Sequence, residues 1–289
     1  MKKYITVRTK KKKATAKSRV VDIIVYLELV IVAIVILLPV LWIFGSALGN
    51  TTSLATSKMI PDSPTLQNYI SLFQTTNFKL WYGNTLKIAI VNMICSTLIS
   101  TLTSYVFSRF TFRGKKGGLM SIMVLQMFPT FMSMTAIYIL FQNFSLLDNL
   151  YGLALVYIAG QIPYNTWLMK GYLSGIPKSL DEAALLDGAT KLQVFYKVII
   201  PLAFPMITFL AVSTFMSPWM DYILPRLLIS SDSKKTLAVG LFDFINGNTN
   251  NNYTMFAAGS TLVAIPITVL YMCLQKYLIY GITAGATKE

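Results

Sequence analysis

The chain has 289 residues, of which 55% are hydrophobic and 12% charged, with a formal net charge of +14. That much apolar surface exceeds what a soluble domain of this size can hide, and the basic residues fall in short clusters between long apolar stretches, which fits lipid-directed orientation and not a nucleic-acid-binding face. There is no His, and Cys95 and Cys273 lie inside apolar stretches, so His-based catalysis, His or Cys metal sites and a disulfide framework have no support; no catalytic residue and no metal ligand is nominated.

In chain order, the first element is a basic segment, residues 1–20, expected to lie on anionic lipid. It precedes an apolar run, Val21 to Phe44, longer than the roughly 7 to 15 residues of a signal-peptide core and so read as a retained anchor. Since about 20 apolar residues are needed to cross the hydrocarbon core, further spans are expected at Leu86 to Ser108, Gly117 to Phe141, Leu150 to Tyr172, Leu202 to Ile229 and Met255 to Tyr280. The expected fold is all-α and integral to the membrane, with six transmembrane helices in one domain, residues 21–289.

Of the 25 Lys and Arg residues, all but Lys58, Lys79, Lys87, Arg226, Lys234 and Lys235 fall on the side that carries both ends of the chain. The positive-inside rule places that side, and both termini, in the cytoplasm.

The second span carries Ser96, Ser100, Ser104 and Ser108 at a spacing of four, hence on one helix face. This reads as a close-packing stripe, with a polar lining of a solute path as the alternative; Ala257, Thr261, Ser260 and Ala264 form a weaker stripe in the last span. Pro39, Pro129, Pro163, Pro218 and Pro266 interrupt spans and each removes a backbone donor. Acids at membrane depth are costly. Glu28 is placed near the inner interface, and Asp221 is expected to pair with Arg226 or pack against a second subunit, a proton relay or substrate contact being the alternative.

Between the fourth and fifth spans, about 175–201, two helix starts follow one another. Ser179 with Glu182, and Thr190 with Gln193, have capping-box spacing, and Gly188 is suited to ending the first helix in a left-handed conformation. The expected result is a short helix opened by Asp181 and Glu182 and carrying Ala183, Ala184 and Leu185, then a second helix running to Pro201. A small apolar patch of this kind suits a groove on a partner; a loop lying on headgroups is the alternative.

Glu182-Ala183-Ala184, three residues, Gly188, nine residues and Val198-Ile199-Ile200-Pro201 resemble the EAA signature of bacterial ABC importer permeases, with Val198 and Ile200 as conservative departures. Pro64 to Tyr69, Trp167 to Tyr172, Trp219 to Tyr222 and Ile265 to Thr268 are similar to the carbohydrate-uptake branch. Thr236 to Leu241 and Gly281 to Gly285 most resemble the MalG-type subunit of maltose and maltodextrin transporters, Ala286 and the run Asn248 to Asn252 departing from it.

The resemblance implies the type I importer permease fold with a cytoplasmic coupling helix pair in a bacterial cytoplasmic membrane. It also implies three kinds of partner: a homologous MalF-like permease, two ATPase subunits that bind ATP and Mg, and an extracellular solute-binding protein. It would make Asp181, Glu182, Ala183, Ala184, Leu185, Gly188 and Pro201 the ATPase-coupling residues and Thr283, Ala284 and Gly285 an ATPase-contacting tail. Asn246, Gly247 and Asn248, in the outer loop about 230–254, would contact the binding protein. No P-loop occurs in the chain, so ATP hydrolysis is expected on a separate chain, and no sugar-binding residue is nominated.

Overall fold

The computed structural model describes residues 16–53, 58–127, 129–246 and 251–286. Every regular element among them is helical: α1 (Ala16–Ala47), α2 (Gln67–Thr75), α3 (Phe78–Arg109), α4 (Lys115–Met127), α5 (Thr130–Asn143), α6 (Leu150–Ser174), α7 (Ser179–Leu186), α8 (Lys191–Val194), α9 (Ile200–Met220), α10 (Ile223–Leu228), α11 (Leu237–Phe242) and α12 (Tyr253–Ala286). A π-helical turn, Phe195–Ile199, joins α8 to α9.

Among the described residues, four helical runs are long and apolar enough to cross a membrane: Val20–Ala47, Phe78–Arg109, Lys191–Met220 and Tyr253–Lys276. The expected third span is two helices, Lys115–Met127 and Phe131–Asn143, bent 99° to each other, and makes a fifth crossing if counted as one. Pro129 sits at the break with extended backbone, so the interruption read in the sequence is a sharp corner. The remaining expected span, α6, has the 25 residues needed by length but is made less apolar by Gln161, Asn165 and Lys170. Asn165 is buried inside the bundle, Gln161 accepts from Asn92 Nδ2 at 3.3 Å, and the Lys170 ammonium sits 5.6 Å from the Trp167 ring centroid of the same helix.

The centre of the molecule is α3, which lies along α6 and α9, while α12 packs on α9 and α1. The close approach comes from the small face of α3. Ser96, Ser100 and Ser104 are wholly buried and Ser108 nearly so, and Ser104 Oγ donates 2.9 Å to the Thr166 carbonyl of α6. The packing reading of the stripe therefore describes this chain. One turn earlier, Asn92 Nδ2 donates 2.7 Å to the Thr214 carbonyl of α9 and Asn92 Oδ1 accepts from Ser96 Oγ at 2.8 Å. Thr214 lies four residues before Pro218, which has no N–H to give it, so Asn92 supplies the donor that the proline removes.

Two apolar clusters cap this polar seam. At one end Met169, Leu173, Val194, Ile199, Ala203 and Leu210 pack together; at the other Leu72, Phe78, Trp81, Phe215, Trp219, Leu237 and Leu241 do so. In the last span, buried Ala257 and Ala258 meet Ala47 of α1, and the Tyr69 hydroxyl lies 2.8 Å from Thr261 Oγ1. By contrast α1 is exposed from Val20 to Phe44, including Glu28, and becomes buried only at Gly45, Ser46 and Ala47.

The expected fifth span differs at both ends. It begins at Lys191, inside the connecting loop, because the helix passes through the π turn and Pro201 occupies a first-turn position of α9. It ends at Met220, where Asp221 is extended. The Asp221 carboxylate accepts from the backbone N–H groups of Ile223 and Leu224 at 3.0 and 3.3 Å and from the Tyr157 hydroxyl at 2.9 Å. Arg226 pairs instead with Asp243 at 3.4 Å. The expected Asp221–Arg226 ion pair gives way to a cap of α10 anchored to α6.

The glycine of α11 fixes how closely that helix approaches α3. A Cβ at Gly240 would lie 2.2 Å from the Trp81 ring. Gly240→Ala is expected to cost about 1–3 kcal/mol through overpacking, read as a lower melting temperature in detergent, whereas Gly160→Ala, whose Cβ meets nothing within 4 Å, loses nothing.

Candidate functional site

The loop between α6 and α9 is built from short-range rules and one long-range ion pair. After Pro177, Lys178 is already helical, and its carbonyl accepts from Asp181 and Glu182 at 2.9 and 3.1 Å. Ser179 therefore enters as the first helical residue and makes no cap, contrary to the capping box expected there, which leaves the Glu182 side chain exposed. The second box forms as expected, with Thr190 Oγ1 accepting from Gln193 N at 3.3 Å and Gln193 Oε1 accepting from Thr190 N at 2.8 Å.

Between the two helices Gly188 has φ +83°. The Gly188 and Ala189 N–H groups donate to the Leu185 and Ala184 carbonyls, both at 3.0 Å. That pair of bonds is a Schellman closure, with Ala184 and Ala189 in contact with the same apolar cluster.

The two acids of α7 differ in exposure. Asp181 points inward, its Oδ2 lying 2.8 Å from Arg109 Nε at the end of α3, with the guanidinium side chain 5% exposed and the carboxylate 14%. Arg109 Nη1 also donates 3.1 Å to the Ile176 carbonyl, so one side chain grips both the entry to α7 and its first turn. Burial pushes the Asp181 carboxyl above the usual carboxylate range although Arg109 opposes this. Tyr105 against Phe195, centroids 4.6 Å apart, and the Lys191 ammonium 5.6 Å from the Phe110 ring reinforce the junction. A cavity of about 360 Å³ opens beside it, lined by Arg109, Lys178, Asp181, Glu182 and Lys191.

On the outer face Glu182, Ala183 and Leu185 are exposed, with Leu186 at 90% and Leu192 at 69%. The structure thus brings Glu182, Ala183 and Leu185 onto one presented surface, turns Asp181 and Ala184 inward, and leaves Gly188 and Pro201 as shape-setting residues. Thr283, Ala284 and Gly285, the expected ATPase-contacting tail, lie in the last turn of α12, which runs to Ala286.

At the opposite end of the bundle the connection after α10 is pinned. Asp148, between α5 and α6, accepts from the Ser230 and Ser231 N–H groups at 3.1 and 2.9 Å, from Ser231 Oγ at 2.6 Å and from Lys234 Nζ at 2.9 Å. Lys235 bridges Asp232 and Asp243 at 2.6 and 2.7 Å. Trp81 Nε1 donates to the Asp232 carbonyl, and Asn84 Nδ2 to those of Ser233 and Lys235. The sequence marks this stretch only as the outer loop about 230–254; the non-local partners that fold it, Asp148, Trp81 and Asn84, carry no local signal. Asn246 ends the described part of the connection, and Gly247 and Asn248 lie outside the described residues.

A family model described as "Binding-protein-dependent transport system inner membrane component" matches residues 93–283. The chain belongs to that family. It is 40% identical over 266 residues to the galactooligosaccharides transport system permease protein GanQ of Bacillus subtilis (strain 168), covering 91% of this chain and 94% of that one. It is 41% identical over 263 residues to the maltodextrin transport system permease protein MdxG of the same organism, covering 91% and 95%. The fold is similar to a chain in the crystal structure of a bacterial ABC transporter involved in the import of the acidic polysaccharide alginate, with a TM-score of 0.73, 25% identity and coverage of 91% and 98%. The type I importer permease fold expected from the EAA-like loop is therefore the fold of this chain.

Burial opposes ionisation of Asp148, but Lys234 and the Ser231 and Ser230 donors outweigh it and hold the carboxyl well below the usual range. A folded-state value below the unfolded one, about 3.9 for Asp, contributes stability that is present above that value and lost as pH falls through the folded value. Asp148→Asn is expected to lower stability at pH 7 by about 1–3 kcal/mol and to flatten the loss below pH 4, both read from melting temperatures across pH.

Proposed function

We propose that this chain is one of two permease subunits of an ATP-driven oligosaccharide importer, with maltodextrins as its substrate class. The observation that carries the coupling role is the division of labour on α7. Asp181 is tied to α3 through Arg109 while Glu182, Ala183, Leu185 and Leu186 form an exposed apolar ridge with one acid. The exposed ridge suits docking into a groove of a separate ATPase, which would bind ATP and Mg, and the tie at its base suits passing motion on to α3. In this reading the chain moves by rigid-body shifts of its spans between inward-open and outward-open states.

The sugar class draws on the MalG-type residues of the sequence and on the 41% identity to a maltodextrin permease. The 40% identity to a galactooligosaccharide permease supports a second reading within the same mechanism. The proposed orientation puts α7 in the cytoplasm, since Arg109, Arg113, Lys115, Lys116, Lys178, Lys191 and Lys197 cluster at that end.

Two experiments follow. In a complex reconstituted with a partner permease, ATPase and binding protein, linear maltodextrins are expected to stimulate ATP hydrolysis, and Glu182→Lys to weaken ATPase association and abolish stimulation. Stimulation by galactooligosaccharides alone selects the second substrate reading, and transport without any ATPase overturns the importer reading. For orientation, Cys95 and Cys273 are first replaced by Ala. A membrane-impermeant maleimide added to intact cells is then expected to label Ser233→Cys and leave Leu186→Cys unlabelled; the reverse pattern inverts the topology.

A further inference from the structure

Helix α3 differs from the other long helices in what it lacks. Pro39 lies in α1, Pro163 in α6, Pro205 and Pro218 in α9 and Pro266 in α12, and Pro129 separates α4 from α5; α3 has none over 32 residues. An unbroken helix of that length is about 48 Å long, and without a proline it keeps its whole backbone ladder and bends least. Both of its ends are gripped by side chains rather than merely packed. At one end Arg109 holds Asp181 of α7 and the Ile176 carbonyl. At the other, Trp81 Nε1 donates 2.8 Å to the Asp232 carbonyl, Asn84 Nδ2 donates 2.9 and 3.1 Å to the Ser233 and Lys235 carbonyls, and Thr85 Oγ1 accepts 2.7 Å from Leu237 N.

We infer that α3 is the rigid rod that carries displacement of α7 to the segment 232–237 at the far end of the bundle, with Arg109 as the positioning residue that clamps α7 to it. The inference rests on the proposed docking of α7 to an ATPase. Breaking the Arg109 contacts leaves α7 attached to the chain through Pro177 and the Schellman turn, so docking survives while the motion is no longer passed on. A buried pair with an unanswered partner also costs stability, so the decisive variant exchanges the charges instead of deleting one.

The test uses the complex in nanodiscs with its partner permease, ATPase and binding protein, supplied with maltotriose and, separately, galactotriose. Three properties are measured: co-purification of the ATPase, basal ATP hydrolysis, and hydrolysis stimulated by the sugar-loaded binding protein. Arg109→Gln is expected to keep the first two and to reduce stimulation roughly tenfold, a typical coupling magnitude. Arg109→Asp combined with Asp181→Arg, which restores the ion pair but not the donor to the Ile176 carbonyl, is expected to recover part of it. Asn84→Leu, at the opposite end of the rod, is expected to give the same uncoupled pattern.

Full stimulation in Arg109→Gln, or a charge-exchanged pair no better than the single variant, overturns the inference, as does a fully coupled Asn84→Leu. Glu182→Lys separates this from failure of the docking reading. If Glu182→Lys releases the ATPase while Arg109→Gln stays coupled, only the rod falls; if Glu182→Lys retains the ATPase with full stimulation, the docking reading falls and takes the rod with it.

Discussion

A polar group in the bilayer core has no water to fall back on, and the central seam of this molecule is organised by that constraint. Along α3 the seam is built from Asn92, Ser96, Ser100 and Ser104, all buried against α6 and α9, with Asn92 answering a carbonyl of α9 and Ser104 one of α6. Asn92 is the keystone of the arrangement. It meets the one carbonyl of α9 that Pro218 leaves without a donor, and it holds Ser96 and Gln161 at the same time. The ladder bond that Pro218 removes from α9 is thereby replaced from α3, and the apolar clusters at either end of the seam seal it.

From this seam the functional geometry follows. With α3 fixed against α6 and α9, Arg109 emerges where the chain leaves α6, and the short helix α7 can be clamped rather than left to drift. The far end is held by the same helix through Trp81, Asn84 and Thr85. Loops on membrane proteins are commonly treated as connectors between spans; here the described part of the connection after α10 is folded as tightly as the bundle, with Leu237, Val239 and Leu241 buried beneath the Lys235 ion pairs.

What could be read from the sequence was what local rules govern. Apolar runs gave the membrane class, period-four serines gave the face of α3, and Gly188 and Thr190 marked the turn between α7 and α8 because a left-handed residue and a capping pair are chosen by their immediate neighbours. The Ser179 cap failed because Lys178 turned helical one residue early. The facing of Asp181 was not legible, since its partner lies 72 positions away and neither residue advertises the other. The same holds for Asp221, where the nearby Arg226 was the obvious local partner and the actual donors are Tyr157 and two backbone N–H groups. The α6 span was legible by position, but its polar residues lower its apolarity because the bundle, not lipid, surrounds them.

Helix α1 stands apart from this economy. Its buried residues are Gly45 to Ala47, and no residue from Val20 to Phe44 is buried by the chain. In a bilayer such a helix is stable on its own, before any bundle has formed, so its surface is uncoupled from the folding of the other helices. Changes along most of α1 are therefore nearly silent in the chain's own stability and are felt by whatever surrounds it, lipid or another subunit. The fold leaves that face free to vary without risk to the core.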